Sequence, residues 1–275
     1  MESKKEVVSI LGCGVLGTVM AKGLLSAEGE RLYDVIPTHH SVEHAEELSR
    51  TLGTACLTDN RRAVENATIV ILAVRPQSMA ELLKEIGPSL KPGTLCITIA
   101  AGLPISFYEE LLPADVTFVR AHPSPMMAVR SGFIALTKGT RAEAIDIEKT
   151  KKLFSLFCSE TLLIPERDIN HFAALFGSSS ALLYLFVDAL LAVENGNGDH
   201  AFSTRQVIAS MLNGSSEMLL RSNKSPRALS EEICTPNGMT IRGVNVWEEH
   251  NAGQIVSSAM EAVLKRVSEM AATIR

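Results

Sequence analysis

Residues 7–17 read VVSILGCGVLG and continue as TVMA over residues 18–21. A short β-branched run thus ends in Gly12-Cys13-Gly14-Val15-Leu16-Gly17, a G-x-G-x-x-G that opens a helix. In this context Gly12 serves the tight turn, Gly14 lets the backbone approach a pyrophosphate, and Gly17 lets helix and strand pack closely. The helix N-terminus adds N–H donors and positive potential for a bound anion. Strand, glycine turn and helix in that order predict a dinucleotide-binding βαβ unit.

The same alternation continues outward. Strand-like runs follow at YDVIPT (33–38), TACLT (54–58), TIVILAV (68–74), TLCITIA (94–100), VTFVRAH (116–122) and GFIALTK (132–138), with helical patterns near 17–25 and 42–52. Apolar strands alternating with helices predict a mostly parallel sheet covered on both faces, the Rossmann arrangement. From about residue 168 the pattern is helical alone, punctuated by ENGNGDH, RSNKSPR and CTPNGMT. The expected fold class is α/β, with a Rossmann dinucleotide-binding domain over residues 1–164 and an all-helical domain over 165–275.

Composition agrees with two globular domains and excludes several function classes. The chain has 275 residues, 46% hydrophobic and 21% charged, unlike disordered, collagenous or coiled-coil sequences. Its net charge of -5 and lack of a Lys/Arg cluster speak against nucleic acid and acidic membranes as partners. Five cysteines without a CxxC pair read as reduced, mostly buried thiols. The N-terminal MESKKEVVSIL lacks the pattern of a signal peptide, so a cytoplasmic protein is expected. Residues 172–193 are apolar enough to suggest a membrane span, but Asp188 and the break at GSSS (177–180) oppose one. A helix buried on nearly every side is expected instead.

The end of the second strand carries Thr38-His39-His40-Ser41 where an NAD site would carry Asp or Glu. With no carboxylate to repel a 2′-phosphate, and with hydroxyl and imidazole groups at hand, NADP is favoured over NAD. Adjacent histidines are expected to point apart, so no metal site is expected. Two further turns, AVRPQ (73–77) and IAAG (99–102), fall at the carboxyl ends of strands, where open α/β sheets bind ligands.

GCGVLG, Asn60, ILAVRPQ, ITIAAG, VRAHPSP, Glu166, FGSSSALLYLFVDALL, CTPNGMTIRG, Trp247-Glu248-Glu249 and SSAMEAVLKRVSEM occur in order along the chain. In order and approximate spacing they resemble the pyrroline-5-carboxylate reductase family, from Val7 to about Glu269. The resemblance implies NADPH- or NADH-dependent reduction of a cyclic imine to proline, and a helical domain that pairs with a second copy of the chain. It implies that Gly12, Cys13, Gly14, Val15, Leu16, Gly17, His40, Ser41, Asn60, Ala73, Val74, Arg75, Pro76, Ala100, Ala101 and Gly102 line the cofactor.

The family's S-P-G-G-[T/A]-T turn matches Thr235-Pro236-Asn237-Gly238-Met239-Thr240 at Pro236, Gly238 and Thr240. Thr240 is therefore the expected catalytic residue, its hydroxyl at the imine nitrogen. Backbone N–H groups of Met239 and Thr240 would hold the substrate carboxylate. Glu166, Ser178, Thr235, Asn237 and Gly238 complete the expected substrate site.

Departures from the family pattern cluster around the substrate. S-G-S-G-P-A-Y becomes FGSSSAL, M-P-N-T-P becomes HPSPM, and Asn237 replaces a glycine at a position suited to positive φ. His122 enters the set as a candidate proton donor.

Two alternatives remain open at this point. A β-hydroxyacid dehydrogenase shares the layout but requires an interdomain lysine, and no Lys occurs between Lys152 and Lys224. A homologue that senses nucleotide without turnover is the other, motivated by the altered GSSSAL and PNGM segments.

Overall fold

The computed structural model describes residues 5–194 and 203–273. Most of the expected turn ENGNGDH lies outside the described residues. The chain divides into two compact units, one of residues 1–177 with 266–275 and the other of residues 178–265.

In the first unit the order is β1 (Glu6–Leu11), α1 (Val15–Leu24), β2 (Tyr33–Thr38), α2 (Val42–Leu52), α3 (Asn60–Val64), β3 (Ile69–Leu72) and α4 (Pro76–Ile86). Then come β4 (Leu95–Thr98), α5 (Ile105–Leu111), β5 (Thr117–Pro123), β6 (Gly132–Lys138), α6 (Ala144–Phe154), β7 (Cys158–Leu163) and α7 (Glu166–Phe172). The strands form one sheet in the order β2-β1-β3-β4-β5-β6-β7. All neighbours are parallel except β5 and β6. Only residues 124–131 join that pair, too few for the dozen or so that a parallel crossover needs.

Strand periodicity sends alternate residues to opposite faces. Val8, Ile10, Ile69 and Ile71 join Met20, Leu24, Phe154 and Phe157 in one core. Leu11, Val70 and Leu72 meet Met79, Leu83, Tyr108 and Phe118 in the other. Ser9, fully buried among them, donates its hydroxyl to the Ala63 carbonyl at 2.5 Å. The chain leaves β1 toward β2 on one side and toward β3 on the other. That reversal opens a crevice at their carboxyl ends.

The division at Gly177/Ser178 lies beyond the expected boundary at 164/165. The reason is packing: α7 lies against β6, and Ile169 and Phe172 form a small core with Ala135, Phe133 and Ile164. The five cysteines are unpaired, and burial raises the thiol pKa of Cys13 and Cys96 to about 12 and of Cys158 to about 11.

The second unit contains α8 (Ser178–Glu194), α9 (Thr204–Arg221), α10 (Pro226–Ile233), α11 (Met239–Glu249) and most of α12 (Ala252–Thr273). Residues 166–193 are long and apolar enough to cross a membrane. The expectation of burial on nearly every side is not met in this chain, since Leu183, Tyr184, Leu185 and Phe186 are exposed. The helix is apolar around most of its circumference, and within this unit α9 covers only part of it.

Candidate dinucleotide cleft and substrate turn

The glycine turn after β1 is built by two of its three glycines. Gly12 has φ +92°, and a Cβ there would stand 2.7 Å from Val74 Cγ1 and 3.1 Å from the Val74 amide. A Cβ on Gly17 would stand 2.7 Å from the Gly12 carbonyl oxygen. Around Gly14 no atom of the described residues lies within 4 Å of that position, and Gly14 borders the cleft. The protein therefore leaves empty the volume in which a ligand would meet the backbone. Gly14 is also the N-cap of α1, no side chain caps that helix, and its first amides are left for an anion.

The cleft at the β1/β3 crevice has a volume of about 610 Å³. Seven of the expected residues line it: Gly12, Gly14, His40, Asn60, Ala73, Val74 and Arg75. His39, Ser78, Glu81, Leu82 and Glu85 line it as well. The last four follow the i, i+3, i+4, i+7 spacing of one face of α4, a signal already present in the sequence.

Hydrogen bonds tie the cleft to the turn. The buried Thr38 hydroxyl accepts the Gly12 N–H at 3.3 Å and donates to Asn60 Oδ1 at 2.8 Å. Asn60 Nδ2 donates in turn to Glu85 Oε2 at 3.2 Å. Asn60, expected to touch cofactor, thus has both ends of its amide engaged within the protein.

Other expected cofactor residues lie outside the lining of this cleft. Cys13 is buried, its Sγ turned to the Ile10 carbonyl at 3.8 Å, and Val15 is 85% exposed. Leu16 packs against the core and Gly17 meets the Gly12 carbonyl. The Ser41 hydroxyl caps α2 by accepting the His44 N–H at 3.4 Å. Pro76 is the first residue of α4. Ala100, Ala101 and Gly102 form the turn after β4, where the Ala100 N–H is held by Thr98 Oγ1 at 3.2 Å.

A second polar cluster sits at the ends of β5 and α7. Arg120, 3% exposed, donates to Asn170 Oδ1 at 2.5 Å and approaches Glu166 at 3.9 Å. Burial lowers the Arg120 pKa, against the opposing pull of Tyr108 and Glu166. Glu166 Oε1 accepts the Ile105 N–H at 2.6 Å, at the first residue of α5. Burial, reinforced by the Arg120 charge, lowers the His122 pKa to about 4. That imidazole is neutral at pH 7 and is not the imidazolium proton donor expected as a candidate.

In the second unit residues 235–240 form a single turn into α11. The Gly238 N–H donates to the Thr235 carbonyl at 2.9 Å, and Asn237 adopts φ +58°. The position therefore does take the left-handed conformation for which Asn is better suited than most residues. Gly238 is the N-cap of α11, with no side-chain cap, and Met239 is 93% exposed. Thr240 is exposed in the first helical turn, so a hydroxyl and unpaired backbone amides are presented together. Ser178 is the first residue of α8.

Comparison with known proteins agrees with both halves of this arrangement. Residues 166–270 match a family model described as pyrroline-5-carboxylate reductase dimerisation. Residues 7–102 match one described as NADP oxidoreductase, coenzyme F420-dependent. A pyrroline-5-carboxylate reductase of Corynebacterium melassecola is 28% identical over 266 residues, covering 96% of this chain and 98% of the relative. Pyrroline-5-carboxylate reductase 3 of Rattus norvegicus is 28% identical over 271 residues, covering 98% and 97%. The crystal structure of 1-pyrroline-5-carboxylate reductase from Streptococcus pyogenes superposes with a TM-score of 0.87 at 25% identity, covering 97% of this chain and 100% of that one. A Plasmodium falciparum pyrroline carboxylate reductase, solved with NADP bound, has the same fold, with a TM-score of 0.86 at 23% identity over 98% and 99% of the chains.

Proposed function

The chain belongs to the pyrroline-5-carboxylate reductase family, and from that premise we propose that it reduces 1-pyrroline-5-carboxylate, or a close cyclic imino acid, to L-proline. The observation that carries the reading is the glycine-built cleft with the uncapped α1 terminus at its floor, in a chain that also holds the Thr240 turn. The residues fit a nicotinamide dinucleotide. Gly14 leaves room for its backbone contact, and the β2 end offers imidazoles where a carboxylate would oppose a 2′-phosphate. NADP is therefore the preferred form in this proposal.

When bound, the dinucleotide supplies the hydride. The rest falls to the chain. The Thr240 hydroxyl oxygen accepts a hydrogen bond from the protonated imine nitrogen, and the free amides at the start of α11 hold the substrate carboxylate. Such a site works mainly by fixing distance and orientation, so no strong acid is required. A neutral His122 is compatible with that economy.

Residues 1–164 hold the dinucleotide in this reading, and residues 165–275 hold the substrate and the second copy of the chain. The exposed apolar side chains of α8 support the last assignment, and the dimerisation family model points to homo-oligomerisation. Five unpaired thiols suit a reducing compartment, so we place the enzyme in the cytoplasm.

The test is a cofactor-and-imine panel on purified protein. NADPH oxidation is expected to accelerate on addition of pyrroline-5-carboxylate, and Thr240→Ala is expected to cut kcat/KM by at least tenfold, about 1.4 kcal/mol of transition-state stabilisation. Nucleotide binding without reduction of any cyclic imine would replace this reading with that of a sensor. Oxidation of a hydroxy acid instead would overturn the reaction class.

A further inference from the structure

Three imidazoles meet where the chain passes from β2 into α2. The His39 and His40 rings stack with centroids 4.5 Å apart, and the His44 ring lies 5.0 Å from His39. His39 and His40 both border the cleft that contains Gly12 and Gly14. His39 is oriented by the backbone. Its Nδ1 accepts the Ser41 N–H at 3.1 Å, so in the neutral ring Nε2 carries the proton. Ser41 Oγ lies 3.1 Å from His44 Nδ1 and also caps α2, which leaves the rings as the adaptable polar groups of this corner.

Stacked imidazoles disfavour one another's protonation, and an anion placed against them offsets that repulsion. Proton uptake and anion binding are then linked, each favouring the other. Burial lowers the His39 pKa against an opposing contribution from the Ser41 backbone, and His40 and His44 lower it further. The other charges on the cleft are Arg75 from the β3–α4 turn and Glu81 and Glu85 from α4. Glu43 lies in the first turn of α2, and Asp59 caps α3. Guanidinium and carboxylate groups ordinarily hold a constant charge between about pH 6 and 8, whereas imidazoles do not.

We propose that His40 and His44, with His39 between them kept neutral, its Nδ1 accepting the Ser41 N–H, act as one proton-linked reader of the ribose 2′ position, so that preference for a 2′-phosphate over a 2′-hydroxyl strengthens as the pH falls. The proposal rests on the reading of this cleft as a dinucleotide site. It turns NADP selectivity from a fixed property of the β2 end into one that follows the proton concentration.

Calorimetric titration of the full chain with 2′,5′-ADP and with 5′-AMP isolates the 2′-phosphate. A 2′-phosphate itself takes up a proton near pH 6, so the comparison runs from about pH 8 to 6.5. The affinity ratio of 2′,5′-ADP to 5′-AMP is expected to rise about fivefold across that interval. Repeating the titration in buffers of different ionisation enthalpy is expected to show net proton uptake with 2′,5′-ADP alone. His40→Gln and His44→Gln, both at exposed positions, are expected to flatten the ratio while 5′-AMP still binds. A wild-type ratio independent of pH, or an unchanged slope in both variants, would overturn the inference and leave the dinucleotide reading standing. Failure of both nucleotides and of NADPH to bind at any pH would overturn the dinucleotide reading and this inference with it.

Discussion

Gly12 and Gly14 look interchangeable in the motif and are not. A Cβ on Gly12 meets Val74 in a backbone region that L-residues avoid, whereas one on Gly14 projects into open space. Gly12→Ala is accordingly expected to lose about 2–4 kcal/mol of stability, from the left-handed backbone and local overpacking. Gly14→Ala is expected to leave the denaturation midpoint nearly unchanged while weakening NADPH binding at least tenfold by calorimetry. His122 makes a second forecast at this scale. Its pKa falls from 6.5 toward about 4 in the folded chain, so the unfolded chain binds more protons between those values. Stability is then highest above about pH 6.5 and is lost as the pH falls toward 4, by about 3 kcal/mol in all. His122→Met should flatten that acid limb in urea melts recorded from about pH 7 to 4.

Elements of this fold are held at their ends by residues distant in sequence. The seven-residue α5 has no side-chain cap from its own N-cap residue, Pro104. Its first amide is taken by Glu166, 61 residues onward in the chain. Glu166→Ala is expected to cost about 1–2 kcal/mol by chemical denaturation, from loss of a charge-assisted bond at a helix N-terminus. Hydrogen exchange of the first turn of α5 should accelerate in the same variant. Resemblance assigns Glu166 to substrate, which forecasts a raised KM even under conditions where α5 stays protected. The same measurements thus separate the two roles. The face of α4 formed by Ser78, Glu81, Leu82 and Glu85 was readable from helical spacing once α4 began at Pro76. That this face turns to the cleft was not readable, because a helix has several polar stripes and only packing selects one.

For the whole molecule the exposed apolar surface of α8 is the dominant fact. Leu183, Tyr184, Leu185 and Phe186 lie uncovered in a unit of residues 178–265, too small to bury them all within itself. The protein is expected to sediment as a homo-oligomer with a concentration-dependent melting temperature. Leu185→Asp, at a position 64% exposed, should shift the species toward monomer in analytical ultracentrifugation without unfolding the first unit. By itself the sequence determined the strand–turn–helix at residues 7–21, the alternation of the first domain and the helical run after it, since each depends on contiguous residues and local periodicity. It also marked the missing carboxylate after β2 and the left-handed demand at Asn237. Only the tertiary structure decided that Asn60 is shared between Thr38 and Glu85, that Glu166 holds α5, that α7 belongs with the sheet, and that His39 stacks on His40 beside the cleft with His44 tilted against it. These are partnerships across tens of residues or choices among side-chain orientations. They are settled by which surfaces the core brings together, and no local pattern encodes that.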